Sequence, residues 1–270
     1  MTSARALFAF LRRDLRQWGS YRFAAALQLA GIFFQLSVFF FIGEALDIRD
    51  PAILRYSAHY FDYVVVGIGL AGFISVSLSG LSAQIREAQI SGTLEALLVT
   101  PVPVAVLVLG TTAWDYLGAF LRFVATLALA AMLFQTPLHA ERIPAAALVM
   151  ALVIAAFAGI GLLSAAFVMV FKRGDPFAQG ITWFAMLFGG VYFPVSASGD
   201  PALVSAAGWI PITPALDALR DLLLRGATFA EVAPAVLRLA ALAAVLLPLG
   251  LAGFAFGLRR ARVNGSLTHY

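Results

Sequence analysis

The chain has 270 residues, 62% of them hydrophobic and only 12% charged, with a mean hydropathy of +0.93. A soluble domain carries about a quarter charged residues, so composition excludes water as the main solvent of this surface and points to lipid. The net charge of +4 does not signal a nucleic-acid partner, because the basic residues cluster at the ends of apolar runs, where they mark membrane topology.

In chain order, the first predicted element is amphipathic. Over residues 4–20, Ala4, Leu7, Phe8, Leu11, Leu15 and Trp18 fall on one helical face, and Arg5, Arg12, Arg13 and Arg16 fall on the other. That pattern fits an interfacial helix lying on the membrane surface. Six runs then approach the roughly 20 apolar residues a membrane crossing needs: 23–46, 60–83, 104–134, 144–171, 177–193 and 232–258. The first is too long, and lacks the small-residue cleavage site, to be a signal peptide. Uninterrupted apolar runs predict helices, since barrel strands would alternate. The predicted fold is a single all-α, polytopic membrane domain over 1–270 with six transmembrane helices.

Orientation follows from the basic residues. Arg5, Arg12, Arg13, Arg16, Arg22, Arg86, Lys172, Arg173, Arg259, Arg260 and Arg262 fall on one side. Arg49, Arg55, Arg142, Arg220 and Arg225 fall on the other. The richer side is predicted to be cytoplasmic, with both termini inside.

Between the second and third runs, residues 84–100 read as a short cytoplasmic helix. Ile90, Leu94, Leu97 and Leu98 share one face, and Pro101 and Pro103 end the element. Such a face can fill a groove on a partner protein. The last long polar-leaning stretch, 195–231, is expected on the outer side with short helices. Leu216, Leu219, Leu223 and Leu224 form the apolar side of one, while Asp217 and Asp221 flank Arg220 at ion-pair spacing.

Two motifs carry a family resemblance. Arg86-Glu87, then Ser91-Gly92-Thr93-Leu94-Glu95 and Thr100-Pro101, resembles the signature of the type-2 ABC exporter permeases. Gly189-Gly190-Val-Tyr-Phe-Pro194, followed by Ile210-Pro211-Ile-Thr213-Pro214-Ala-Leu-Asp217-Ala-Leu-Arg220, is similar to the end of that family's fifth helix and its external segment. The resemblance implies a permease that pairs with a second copy as a homodimer and docks on two cytoplasmic ABC ATPase subunits in a bacterial inner membrane. It exports an amphiphilic, lipid-like or drug-like substrate, or a lipid-linked glycan. It makes Arg86, Glu87, Ile90, Gly92, Thr93, Leu94, Glu95 and Leu97 the coupling residues, and places Pro211, Thr213, Asp217 and Arg220 in an outer lid.

The residues also bear on catalysis. The single lysine, Lys172, lies in Phe171-Lys172-Arg173 and belongs to no phosphate-binding Gly-Lys-Ser/Thr. ATP and Mg are therefore expected on the partner ATPase, and no cofactor on this chain. There is no His-Glu-x-x-His, and cysteine is absent, which excludes disulfides and thiolate metal sites. The competing function is ion-coupled transport through buried ionisable residues. Glu44 and Asp62 sit at outer helix ends, where a wet interface suits them. Asp115 and Arg122, seven apart on one face of the third run, are expected in structural ion pairs with neighbouring helices, with a pathway role as the alternative.

Overall fold

The computed structural model describes residues 22–46, 48, 50–90, 104–171 and 176–263, which are helical apart from loops and contain no strand. The elements are α1 (Arg22–Leu46), α2 (Pro51–Leu54), α3 (Tyr60–Ile90), α4 (Val104–Phe134), α5 (Ile143–Phe171), α6 (Pro176–Phe188), α7 (Pro201–Ala207), α8 (Ile212–Leu223) and α9 (Phe229–Val263). The interfacial segment 4–20 and the coupling residues Gly92, Thr93, Leu94, Glu95 and Leu97 lie outside the described residues.

Among the described residues, five segments are long and apolar enough to cross a membrane: Ala26–Leu46, Tyr60–Gln84, Trp114–Phe134, Ala140–Phe171 and Phe229–Arg260. Contacts fix their alternating directions. At one end, Gly43 of α1 lies against Tyr60, and Phe61 packs on Phe134 with ring centroids 4.9 Å apart. Toward the other end, Ser82 of α3 meets Ser164 of α5 at 2.9 Å, and Gly257 of α9 lies against Ala166. The first end also carries α2, α7 and α8 and is called the loop-rich end.

The fifth predicted run differs. It is helical only over Pro176–Phe188, about 20 Å at 1.5 Å per residue, which is short for a crossing of roughly 30 Å. It starts on the α5 C-terminal side and ends against α3 near the loop-rich end, too short to count by itself as a crossing. The sixth candidate crossing is instead the apolar pair α7 and α8, which counts as one span only across an 87° bend.

α2 and α7 share one local cause. Asp50 and Asp200 are N-caps whose carboxylates accept from Ala52 N at 2.7 Å and Ala202 N at 2.8 Å, each followed by proline at the first helical position. The centre of the bundle is α5, packed along α9 and α3. Its Gly159-Ile-Gly161 pair serves both contacts. A Cβ on Gly159 would meet the Leu246 backbone of α9, and one on Gly161 would meet the Ser77 carbonyl of α3. Small residues let membrane helices approach closely.

Candidate functional site

The loop-rich end is closed by α8. The sequence gives this helix an apolar and a polar side, which predicts a helix lying on or dipping into a leaflet. The structure instead buries both sides against α9, α5 and α3: Ile212, Ala215, Leu216, Ala218, Leu219 and Leu222 are fully buried, Arg220 nearly so, and Asp221 is largely buried. A charged side chain in that position needs partners.

Arg220 is 1% exposed, and its partners are not the flanking aspartates. Its Nε donates to the Tyr63 carbonyl at 3.0 Å, and its Nη2 donates to the carbonyls of Gly190 at 3.0 Å and Val191 at 3.2 Å. The guanidinium also lies over the Tyr63 ring, 3.4 Å from its centroid, as a cation–π contact. These acceptors arise from how α6 ends. Gly190 takes φ +83, a left-handed conformation that glycine adopts without strain. The turn carries the Gly190 and Val191 carbonyls just past the end of α6, and Arg220 donates to them while placing positive charge near the negative end of the helix. Tyr63 adds its hydroxyl to Gly190 O at 2.9 Å, and Thr213 Oγ1 donates to Gly189 O at 3.3 Å. Gly67 of α3 completes the fit: a Cβ there would strike the Val191 carbonyl.

The aspartates tie α8 to the preceding loops instead. Tyr56 donates its hydroxyl to Asp217 Oδ1 at 3.0 Å. Burial pushes the Tyr56 phenol well above its ordinary pKa, and the Asp217 carboxylate adds to that shift, so the hydroxyl keeps the proton it donates. Asp221 pairs with Arg55 at 3.3 Å and with Arg225 at 3.3 Å; Arg225 reaches Glu231 at 2.7 Å. Pro211 is buried at the N-cap of α8. The four residues expected in the outer segment thus lie close together, with Pro211 and Arg220 buried and Thr213 and Asp217 half-buried, and Arg220 forms a buried clasp with Tyr63, Gly190 and Val191. The carbonyl acceptors could not be read from the sequence, because backbone groups carry no residue signature.

At the other end, α3 does not stop where its apolar run stops. It continues through Gln84 to Ile90, so the first part of the expected coupling loop extends the span. Arg86 and Glu87 are exposed on this extension. Asp62, expected in a wet interface, is 3% exposed and accepts from Ser57 Oγ at 2.6 Å, with His59 3.8 Å away. Glu44 is exposed, as expected. Asp115 and Arg122 differ from each other. Asp115 accepts from Gln84 Nε2 at 2.7 Å, tying α4 to α3, while Arg122 is exposed on α4 and makes no ion pair among the described residues. No cluster of three or more metal-ligating side chains occurs among the described residues.

The profile described as ABC-2 family transporter protein matches residues 45–252, well over half of the chain, covering the helices from α2 to most of α9. No curated protein matches the chain.

Proposed function

The chain belongs to the ABC-2 family of transporters, and from that premise we propose that it is the permease subunit of an ATP-driven exporter. Membership already makes it a multi-pass membrane component that works with an ABC ATPase. The finer reading sets the loop-rich end outside and the α3 extension in the cytoplasm, following the excess of basic residues on that side. Two copies of the chain pair as a homodimer on two ATPase subunits in a bacterial inner membrane. The chain binds no nucleotide itself, and ATP and Mg sit on the partner. The substrate is an amphiphile, lipid-like or drug-like, or a lipid-linked glycan, taken from the cytoplasm or inner leaflet.

One observation carries the reading: α3 projects beyond its apolar span with Arg86 and Glu87 exposed, at the start of the segment that resembles a coupling helix. A helix continuous from bundle core to docking surface transmits displacement as a rigid element. The ATPase would move residues 91–100, and α3 would carry that movement into the core against α5. The test is purification from the native membrane. The chain should co-purify with an ABC ATPase whose hydrolysis is lost on separation, while the isolated chain hydrolyses no ATP. Hydrolysis by the isolated chain, or transport that persists without any ATPase and follows an ion gradient, would replace this reading with the ion-coupled one.

A further inference from the structure

Arg122 is a cation inside a membrane span with no ion-pair partner among the described residues. It lies twelve residues from Phe134 at the end of α4, and it rests on Gly72, twelve residues from Tyr60 at the start of α3: a Cβ on Gly72 would lie 3.8 Å from Arg122 Cδ. Both helices therefore place it about 18 Å below the loop-rich end at 1.5 Å per residue, well within a hydrocarbon core of about 30 Å. Guanidinium stays charged at any physiological pH. Asp115 is two turns away on α4, and it is bound to Gln84. Among the described residues Arg122 has no ion-pair or side-chain hydrogen-bond partner, and its side chain is exposed. Ionisable residues at this depth face a polar cavity or a partner rather than hydrocarbon.

The neighbouring surface of α3 supports the same conclusion independently. Ser75 and Ala83 are exposed and Ser79 is partly exposed, on the helical stripe that Gly72 starts. The stripe leads down to the exposed Arg86. Large exposed apolar side chains cover α1, α4, α6 and α9, such as Phe34, Leu121, Trp183 and Leu249, yet none of those described lies on α3. A face turned to lipid would carry them, as the other helices do.

We propose that this stripe and Arg122 form a water-filled groove between α3 and α4 that receives the anionic group of an amphiphilic ligand, a phosphate, carboxylate or sulfonate, at mid-membrane depth. The inference rests on the permease reading for the ligand's role as cargo, but not for the groove itself. Arg122 supplies the charge, Ser75 and Ser79 supply hydroxyls, and the small residues give access from the Arg86 end. Specificity would follow from charge: an anionic amphiphile offsets Arg122, whereas a cationic one meets repulsion.

The absence of cysteine makes the groove directly testable in the full chain, in membrane fragments open on both sides. Ser75→Cys and Ser79→Cys should react with water-soluble methanethiosulfonates, while Val124→Cys and Leu249→Cys, on exposed apolar faces, should not. At Ser75→Cys, one turn from the Gly72 on which Arg122 rests, the sulfonate-bearing reagent should outpace the trimethylammonium-bearing one by about tenfold, relative to their rates with free thiol, because a confined charge concentrates the opposite ion. That preference should vanish with Arg122→Gln and return with Arg122→Lys. Dodecyl phosphate should protect Ser79→Cys, and dodecyltrimethylammonium should not. Inert Ser75→Cys and Ser79→Cys would overturn the proposal, since the stripe would then be sealed by lipid or by a second copy. Equal rates for the two reagents would also overturn it, since a carboxylate from a second copy would already neutralise Arg122. A preference found in a chain that co-purifies with no ATPase would leave the groove standing and remove the permease reading; an inert stripe in a chain that does co-purify would do the reverse.

Discussion

At the scale of single residues, the loop-rich end depends on Arg220. Its side chain satisfies three carbonyls from two elements and stacks on Tyr63. Removing it leaves those carbonyls buried without their charged donor, at about 1–3 kcal/mol for each unsatisfied group, and opens a cavity beneath α8. Arg220→Ala should therefore destabilise the folded protein by about 2–5 kcal/mol, from the carbonyls left without a donor and the cavity, with Gly190 O keeping the Tyr63 hydroxyl. Arg220→Lys should fall between, because an ammonium cannot present a planar fork to several carbonyls at once. Denaturant titration of the purified protein, following loss of helical signal, measures both; an Arg220→Ala variant as stable as the parent would show that the clasp contributes nothing. The residue set was partly legible in sequence. Asp217, Arg220 and Asp221 stand at helical ion-pair spacing, and that spacing correctly marks a polar cluster. It misassigns the partners, since Arg220 turns to carbonyls exposed by the left-handed Gly190 and the aspartates turn to Tyr56, Arg55 and Arg225. A sequence displays side-chain charge, but it does not display which carbonyls a glycine turn will leave free.

At the scale of elements, run length and hydropathy located the long helices well, because lipid forces backbone groups to pair within a segment. The expected runs 23–46, 104–134 and 144–171 match α1, α4 and α5 to within a residue. The last helix also overruns the expected 232–258 at both ends, spanning Phe229–Val263, and two other misjudged ends have different causes. α6 stops at Phe188 although the apolar run continues to 193, since hydropathy does not register the turn at Gly189-Gly190. α3 continues to Ile90 although its apolar run ends at 83, since Gln84, Arg86 and Glu87 are polar but suit a helix. The glycine contacts between helices give a sharper prediction. Gly161→Val should force α5 away from the Ser77 carbonyl of α3 and loosen the central packing, whereas Gly118→Val, with nothing within 4 Å of its Cβ, should be far milder. Overpacking typically costs about 1–3 kcal/mol, and the thermal unfolding midpoints of the two variants, compared in the same detergent, measure the difference. Equal midpoints would mean that α5 and α3 can separate freely at this crossing.

At the scale of the whole molecule, the structure places two specialised regions at opposite ends of the bundle: a rigid buried clasp at the loop-rich end and the exposed extension of α3 at the other. Orientation in the membrane can be read by labelling, as the chain has no native cysteine. With an impermeant thiol reagent outside sealed cells, Ser198→Cys in the exposed loop before α7 should react, while Ala4→Cys, Gly174→Cys and Ser266→Cys should be shielded; labelling at 266 would reverse the assignment. The coupling segment then tests how the two ends communicate. If Ile90, Leu94 and Leu97 fill a groove on the ATPase, Leu94→Asp places an unpaired charge in an apolar contact, costing several kcal/mol when that contact is buried. The permease should still insert, because the segment lies beyond the apolar span of α3. Its ATPase should dissociate or uncouple, and transport should fall. Glu95→Ala should act in the same direction but less strongly if Glu95 sits at the rim, where single charges have small effects. Insertion, co-purified ATPase and transport measured on one preparation separate the outcomes. Unchanged ATPase binding and transport in Leu94→Asp would remove the coupling role from this segment. Failed insertion would mean instead that residues 91–100 brace their own bundle, with α3 anchored by its neighbours rather than driven by a partner.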